Sequence, residues 1–273
     1  MAKLFNKIRK QLVAEKPSVS RTSNYLKYAI GEIVLVVIGI LIALSINNWN
    51  ENRKERLQET IILNQLRSEF DSNLKQLDQK ITIRNEMMKA SLQFLKLIDN
   101  PNLRNKDSID ILIAKTMPYA TFDPIINDLS SSGELNLIKN TELKQALTRW
   151  TSNISDLREE EEIWKYYRNE LYIPFLIKHY QFRTLRSKAF KSNVLGKYSI
   201  ETSGFTQLYA NDDIGVSKHP EDFNALLDHP DIEDHLSRCY SMNKWANVQS
   251  IILRKRIIEI IELLNSEIND QLL

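Results

Sequence analysis

The sequence predicts an all-α protein in which a single transmembrane helix continues into an antiparallel bundle of long helices. Three observations support this. Only 6 Gly and 7 Pro occur in 273 residues, which disfavours folds built from many tight turns. Residues 28–46 are almost entirely apolar, and no Pro or Gly then occurs before Pro101. We therefore expect a basic cytoplasmic tail (residues 1–27), a transmembrane helix (residues 28–46) and an extracytoplasmic helical domain (residues 47–273).

The N-terminal tail is strongly basic. Residues 1–27 hold seven Lys or Arg against one Glu, which leaves 30 of the 37 basic and 34 of the 35 acidic residues for the rest of the chain. A mildly acidic main domain argues against a nucleic-acid partner, because such a partner requires clustered positive charge. The tail is instead typical of a segment that binds anionic phospholipid or controls membrane topology.

Residues 28–46 contain one ionisable side chain, Glu32. At 1.5 Å per residue this segment covers roughly the 30 Å of a bilayer core. The alternative is a cleaved signal peptide, because Ala43, Leu44 and Ser45 have the small-x-small form of a cleavage site. The long basic segment before the span, with no turn-forming residue after it, favours an uncleaved anchor. The excess of Lys and Arg before the span predicts a cytoplasmic N-terminus.

Some residues in and beside the span are candidates for a role in the membrane. Glu32 is either a structural carboxylate, interfacial and able to pair with Lys27 or buried in an oligomer, or an ion-coupling carboxylate. Gly39 and Ala43 form a small-xxx-small pair, which allows close packing of membrane helices. The polar and aromatic residues typical of a membrane boundary follow the span: Asn47, Asn48 and Trp49.

Residues 27–54, KYAIGEIVLVVIGILIALSINNWNENRK, resemble the N-terminal signature of an uncharacterised family of Bacteroidota single-pass membrane proteins. Residues 122–147 and 222–240 are similar to the soluble part of that family. The resemblance implies a bacterial inner-membrane protein with its main domain in the periplasm, and it implies no chemistry. Ser45 departs from the pattern, which has Gln before the Ile.

The first long helix is predicted to continue to Asp99. A strict 3-4 spacing of mostly apolar residues supports it: Leu74, Leu77, Ile81, Arg84, Met88, Ser91, Leu95 and Ile98. The stripe is either the core side of a helical bundle or a coiled coil between protomers. We favour the bundle, because the rest of the chain supplies enough apolar helices to cover it.

Three helices are predicted in the middle of the chain. A short one begins near Asp107 or Ser108 and ends before Pro118, and another begins near Pro124 and ends at the serines of residues 130–132. A second long helix should cover residues 141–172, bent or ended near Pro174. Its predicted buried stripe is Leu143, Leu147, Trp150, Ile154, Leu157, Ile163 and Tyr167.

Residues 181–220 hold three of the six glycines and show weak helical periodicity. We expect an irregular insertion here, with short strands near residues 198–200 and 205–209, and it is where we would look for a recognition surface.

The chain then returns to helix at residues 220–227, 232–240 and 242–269. The last helix should pack antiparallel on the first, through a buried stripe of Trp245, Val248, Ile252, Ile257, Ile261, Leu264 and Ile268.

The sequence carries no recognised catalytic, cofactor or metal-binding motif. The best metal candidate is the set Asp228, His229, Asp231, Asp234 and His235, but Pro230 interrupts it and its two histidines do not share a helix face. We expect helix-capping acids and surface histidines there. The acidic run at residues 159–162 is expected to be a solvated face, and Cys239 a buried, unreactive thiol.

These observations favour an interaction or scaffold protein of the cell envelope over an enzyme. We expect the lipid bilayer as a partner, homo-oligomerisation, and other envelope proteins as further candidate partners. The alternative is a ligand-sensing helical bundle that signals through a partner; an enzyme is a third class. A polar-lined pocket would favour the sensor, an apolar surface patch the scaffold, and a converging acid and base the enzyme.

Overall fold

The computed structural model describes residues 21–126, 133–191, 214–219 and 222–271. Every regular element in these ranges is helical, which confirms the all-α prediction. The α-helices are α1 (Arg21–Asp99), α2 (Lys106–Thr116), α3 (Thr141–Tyr167), α4 (Ile173–His179), α5 (Phe182–Lys191), α6 (Phe223–Leu227) and α7 (Pro230–Asp270). The strands predicted within residues 198–209 and the serines of residues 130–132 lie outside the described residues.

The chain divides into two compact units, Met1–Gln58 and Glu59–Leu273, and α1 contributes residues to both. We call them the anchor unit and the helical unit. In the anchor unit, the side chains of residues 28–58 are exposed throughout. An 18-residue window of this helix has a mean hydropathy of 2.8 with none of it buried, so α1 is long and apolar enough to cross a membrane.

In the helical unit, α7 runs antiparallel to α1. Arg67 of α1 donates from Nε to Oδ1 of Asn265 at 2.6 Å, near the end of α7. Further along α1, Asp78 accepts from Nε of Arg254 at 2.6 Å, so residue numbers rise on one helix as they fall on the other. The predicted antiparallel packing of the first and last helices is therefore confirmed.

The third long helix, α3, runs parallel to α1. Trp150 packs on Phe70 with ring centroids 5.0 Å apart, and Glu161 reaches Arg84 further along both helices. Two parallel neighbours cannot be joined by a short turn, so the connection between α1 and α3 has to return along the bundle.

Part of this return is a segment without regular secondary structure, residues 117–126, which we call the strap. Asn73 of α1 bonds both backbone groups of Ile125, at 2.8 and 2.9 Å, and Gln76 bonds both backbone groups of Asp123, at 2.9 and 3.0 Å. The helix predicted to begin near Pro124 is therefore wrong through residue 126. At these two residues of the strap, side chains of α1 bond the backbone groups in place of helical hydrogen bonds.

The core of the helical unit consists of two apolar clusters. One is built largely from residues 62–77 of α1, the first half of α3 and the second half of α7. The other joins residues 83–94 of α1 to α2, α4, α5, α6 and the start of α7. On α3 and α7, buried polar residues separate the two clusters.

The chain stays helical past Pro174. A π-helical turn, Arg168–Tyr172, joins α3 to α4, which contains this proline and continues to His179. In a regular α-helix, a proline ring clashes with the carbonyl group four residues earlier, which for Pro174 belongs to Glu170. The wider π-helical turn contains Glu170. α7 is likewise one helix, without the break predicted at Ser241.

Candidate functional site

The residues singled out in the anchor lie on α1 with exposed side chains. A Cβ placed on Gly39 would meet nothing within 4 Å, so this part of the helix surface is open. At the boundary, Asn47 donates to Glu51 at 3.0 Å, and the guanidinium of Arg53 lies 5.9 Å from the ring centroid of Trp49. The packing roles predicted for Glu32, Gly39 and Ala43 and the boundary role of Asn47, Asn48 and Trp49 stay predictions.

An apolar surface feature of the helical unit lies on α7. Four large apolar side chains are exposed within two turns: Trp245 (62%), Ile251 (58%), Ile252 (44%) and Val248 (39%). We call them the α7 patch. Three of them, Trp245, Val248 and Ile252, were predicted to be buried, and that prediction is wrong. The second half of the predicted stripe is correct, since Ile257, Ile261 and Leu264 are buried.

The polar layer of the core explains the exposure of the α7 patch. Arg84 of α1 lies inside the bundle, where its Nε donates to Oδ1 of Asn247 at 2.7 Å and its Nη2 to Oγ of Ser250 at 2.6 Å. Because α7 turns these two polar residues inward, its larger apolar residues at the same level face outward. Periodicity alone therefore selects the wrong face of α7 here.

Arg84 also binds α3 and the strap. Its Nη1 lies 2.5 Å from Oε1 of Glu161 and donates to the backbone oxygen of Ala120 at 2.7 Å. Oε2 of Glu161 accepts from the backbone N–H of Phe122 at 2.8 Å. One guanidinium thus links all three long helices and the strap.

The position of Glu161 corrects the prediction of a wholly solvated acidic run. Its side chain is 1% exposed, while Glu159 and Glu162 face solvent. Burial raises the pKa of Glu161 against the opposing effect of Arg84, and burial lowers the pKa of Arg84 against the opposing effect of Glu161. Desolvation is the larger cause for both groups.

Basic residues surround the α7 patch. The sequence of α7 has five Lys or Arg and no Asp or Glu from His235 to Ile258. Two of the five contact other helices, since Arg254 pairs with Asp78 of α1 and Arg238 lies 5.3 Å from the ring of Tyr167 of α3. The other three flank the patch on the exposed side of α7: Lys244, Lys255 and Arg256.

A second feature is a cluster of three of the four histidines around Phe175 of α4. Ring centroids lie 4.7 Å from Phe175 for His179, 5.0 Å for His229 and 4.5 Å for His235. The rings of His179 and His229 are 4.4 Å apart. We call this the histidine cluster; it joins α4 to the start of α7.

Two of these histidines have structural roles that the sequence did not suggest. Nδ1 of His229 accepts from the backbone N–H of Asp231 at 3.2 Å and so caps α7. His235 is buried, and its Nδ1 lies 2.9 Å from the hydroxyl oxygen of Tyr167. The prediction of surface histidines is therefore wrong for His235. Desolvation lowers the pKa of His235, and desolvation and then the neighbouring His229 lower that of His179.

Other buried polar groups stabilise the end of the unit that contains α2 and α5. Asp110 accepts from the hydroxyl of Tyr180 at 2.5 Å and from Nζ of Lys188 at 2.5 Å. Cys239 is fully buried beside the backbone oxygen of Thr116, and burial raises its pKa to about 12. Within the described residues, no group of three or more His, Cys, Asp or Glu is placed to hold a metal ion.

The described residues define a class: an all-helical protein in which they include one apolar helix, near the N-terminus, that is compatible with a membrane anchor. Within this class, the chain belongs to the family of unknown function DUF6090, whose profile matches residues 32–210. This confirms the predicted membership of an uncharacterised family, while the bacterial group and the anchor signature stay predictions. Residues 222–240 lie beyond the match. No curated protein and no solved structure matches the chain.

Proposed function

We propose that this protein is a membrane-anchored helical interaction or scaffold protein of the bacterial cell envelope, with no enzymatic activity of its own. The observation that supports this most is the α7 patch, which exposes four large apolar side chains within two helical turns. Clustered apolar exposure of this kind is typical of interaction sites. An apolar surface patch is also the feature that favours a scaffold over a sensor.

The proposed location rests on the anchor unit. An exposed apolar helix with a basic segment before it fits the bacterial inner membrane, with residues 1–27 in the cytoplasm and the helical unit in the periplasm. Reporter fusions at residue 10 and residue 270 test this. We expect cytoplasmic activity from the first and periplasmic activity from the second. A mature protein that begins at Ile46 would contradict the anchor.

Photo-crosslinking in intact cells tests the interaction function. A photoreactive amino acid at Ile252 should give a discrete adduct, and one at Glu262, an exposed position further along α7, should not. Trp245→Glu should abolish the adduct because it puts a charge into the apolar patch. Co-expressed chains with two different tags show whether the adduct is a homo-oligomer. Equal adducts from both positions, or none from Ile252, would overturn the proposal.

A further inference from the structure

The α7 patch and its charged surroundings indicate the chemistry of its partner. From the geometry we propose that the patch binds an amphipathic helix whose apolar stripe is flanked by acidic residues. This rests on the proposed interaction function and goes beyond it by naming the kind of partner.

The apolar part of the recognition is a short stripe. Trp245, Val248 and Ile252 follow the 3-4 spacing of one helix face, and Ile251 widens it. Residues 245–252 cover about 10 Å along the helix, at 1.5 Å per residue. A stripe of this length matches the apolar face of one partner helix, whose contacts recur at the same 3-4 spacing.

The charged part lies at both ends of the stripe. Lys244 is next to Trp245, and its Nζ lies 5.6 Å from the ring of Tyr240. Lys255 and Arg256 follow Ile252 by one turn; the side chain of Lys255 is 82% exposed, with Nζ 3.7 Å from Glu259. Acidic residues at both ends of the partner's stripe would complement these bases.

A second copy of the chain is a poorer occupant of this patch. In a pair formed by two aligned α7 patches, both faces carry Lys244, Lys255 and Arg256, so the parallel and the antiparallel arrangement both bring basic ends close to basic ends. An anionic bilayer complements the charge but fits the apolar surface less well. Helices that lie on membranes present a long apolar face, whereas the exposed apolar stripe of α7 covers only two turns.

Tryptophan fluorescence can detect occupancy of the patch. Of the four tryptophans, Trp150 and Trp164 are buried, so in a Trp49→Phe background the solvent-exposed emission comes from Trp245. The full chain in phosphatidylcholine nanodiscs is titrated with a synthetic amphipathic helix that has a Leu stripe flanked by Glu. The matched probe has Lys in place of every Glu. We expect a blue shift with the acidic peptide only, weakened by added salt.

Charge reversal provides the decisive comparison. The triple variant Lys244→Glu, Lys255→Glu, Arg256→Glu should bind the acidic peptide at least about tenfold more weakly and should gain affinity for the basic peptide. The matched control reverses the same number of charges at Lys139, Lys144 and Arg149, on and just before the first half of α3, and should behave like the parent. Circular dichroism checks that both variants are folded.

Three results would overturn the inference. Equal affinity for both peptides, or for the parent and the charge-reversed protein, would show that charge does not select the partner. A concentration-dependent blue shift without peptide would assign the patch to a second copy. A shift in phosphatidylglycerol nanodiscs without peptide would assign it to lipid. A specific crosslink from Ile252 would still support the interaction function in each case, so the two proposals fail separately.

Discussion

Nη1 of Arg84 lies 2.5 Å from Oε1 of Glu161, and both side chains are 1% exposed. This pair stands between the two apolar clusters, and its hydrogen bonds reach α7 and the strap as well as α1 and α3. A buried ion pair adds little net stability over an apolar pair, but it leaves an uncompensated charge when one partner is removed. We therefore expect the pair to fix how the long helices align.

Replacement of Arg84 tests this. Arg84→Met should destabilise the helical unit by about 3–5 kcal/mol, because the carboxylate of Glu161 stays buried without its partner. Arg254→Met removes an ion pair with Asp78 in which both side chains are over 40% exposed, and should cost less than about 1 kcal/mol. Urea unfolding of the full chain in detergent, followed by tryptophan fluorescence, measures both.

A double variant distinguishes the buried charge from poor packing as the cause of the lost stability. If Arg84→Met only leaves a badly filled space, then Arg84→Met combined with Glu161→Leu should be at least as unstable. If the buried charge is responsible, the double variant should recover part of the lost stability. Equal stability of Arg84→Met and Arg254→Met would contradict the central role of the pair.

Acidification should destabilise the helical unit through the histidine cluster. Burial lowers the pKa of His235, and burial together with His229 lowers that of His179. The folded state therefore binds fewer protons than the unfolded state just below pH 6.5. The stability from these groups is fully present above about pH 6.5 and is lost as pH falls towards the folded pKa values.

Several charges face the cluster and modulate this effect. Asp231 raises the pKa of both histidines, Asp234 raises that of His235, and Lys178 lowers that of His179. The melting temperature of the full chain is measured from about pH 7.5 to about pH 5. His235→Gln should flatten the acid side of this profile, whereas His219→Gln, at an exposed position outside the cluster, should not. The same acid slope in both variants would contradict the prediction.

Cys239 should be unreactive in the folded protein. Its side chain is fully buried, and a pKa of about 12 leaves almost no thiolate at neutral pH. Labelling by a thiol reagent should be at least about a thousandfold slower in the native protein than in urea, because it requires local opening. Ser241→Cys adds an exposed thiol on the same helix and should label rapidly. Rapid labelling of the parent would show that this part of α7 opens readily.

Much of the fold could be predicted from local patterns. The low Gly and Pro content, the apolar span and the 3-4 spacing of α1 predicted the helices, and similar lengths of apolar stripe predicted the antiparallel packing of α1 and α7. The strap could not be predicted, because Pro124 resembles a helix start. The side chains that bond its backbone are distant in sequence: Asn73, Gln76, Arg84 and Glu161.

The exposure of the α7 patch was also missed, because it too depends on contacts between residues distant in sequence. Hydrophobic periodicity assumes that apolar residues face the core, and this assumption fails where the core contains Arg84. Asn247 and Ser250 are the signals that could have been used, since both share a face of α7 with the buried Leu253 and Ile257. Their inward orientation could be recognised only by knowing that Arg84 and Glu161 are in contact. These two residues are 77 positions apart, and no local sequence pattern indicates that contact.

The antiparallel packing of α7 on α1 predicts that the helical unit cannot form without the second half of α7. Truncation after Tyr240 removes five buried Leu or Ile side chains: Leu253, Ile257, Ile260, Ile261 and Leu264. Each contributes roughly 1.5–3 kcal/mol when buried, and the sum is comparable to the whole stability of about 5–15 kcal/mol of a typical domain. The truncation also removes Asn247 and Ser250, which accept hydrogen bonds from Arg84. The truncated chain should therefore lose its cooperative melting transition and much of its helical circular dichroism.

Removal of residues 271–273 alone, beyond the end of α7, should leave both unchanged. If the Tyr240 truncation kept its full melting transition and helical content, α1 would have to bury its apolar stripe against another protomer, and a coiled coil between chains would replace the bundle.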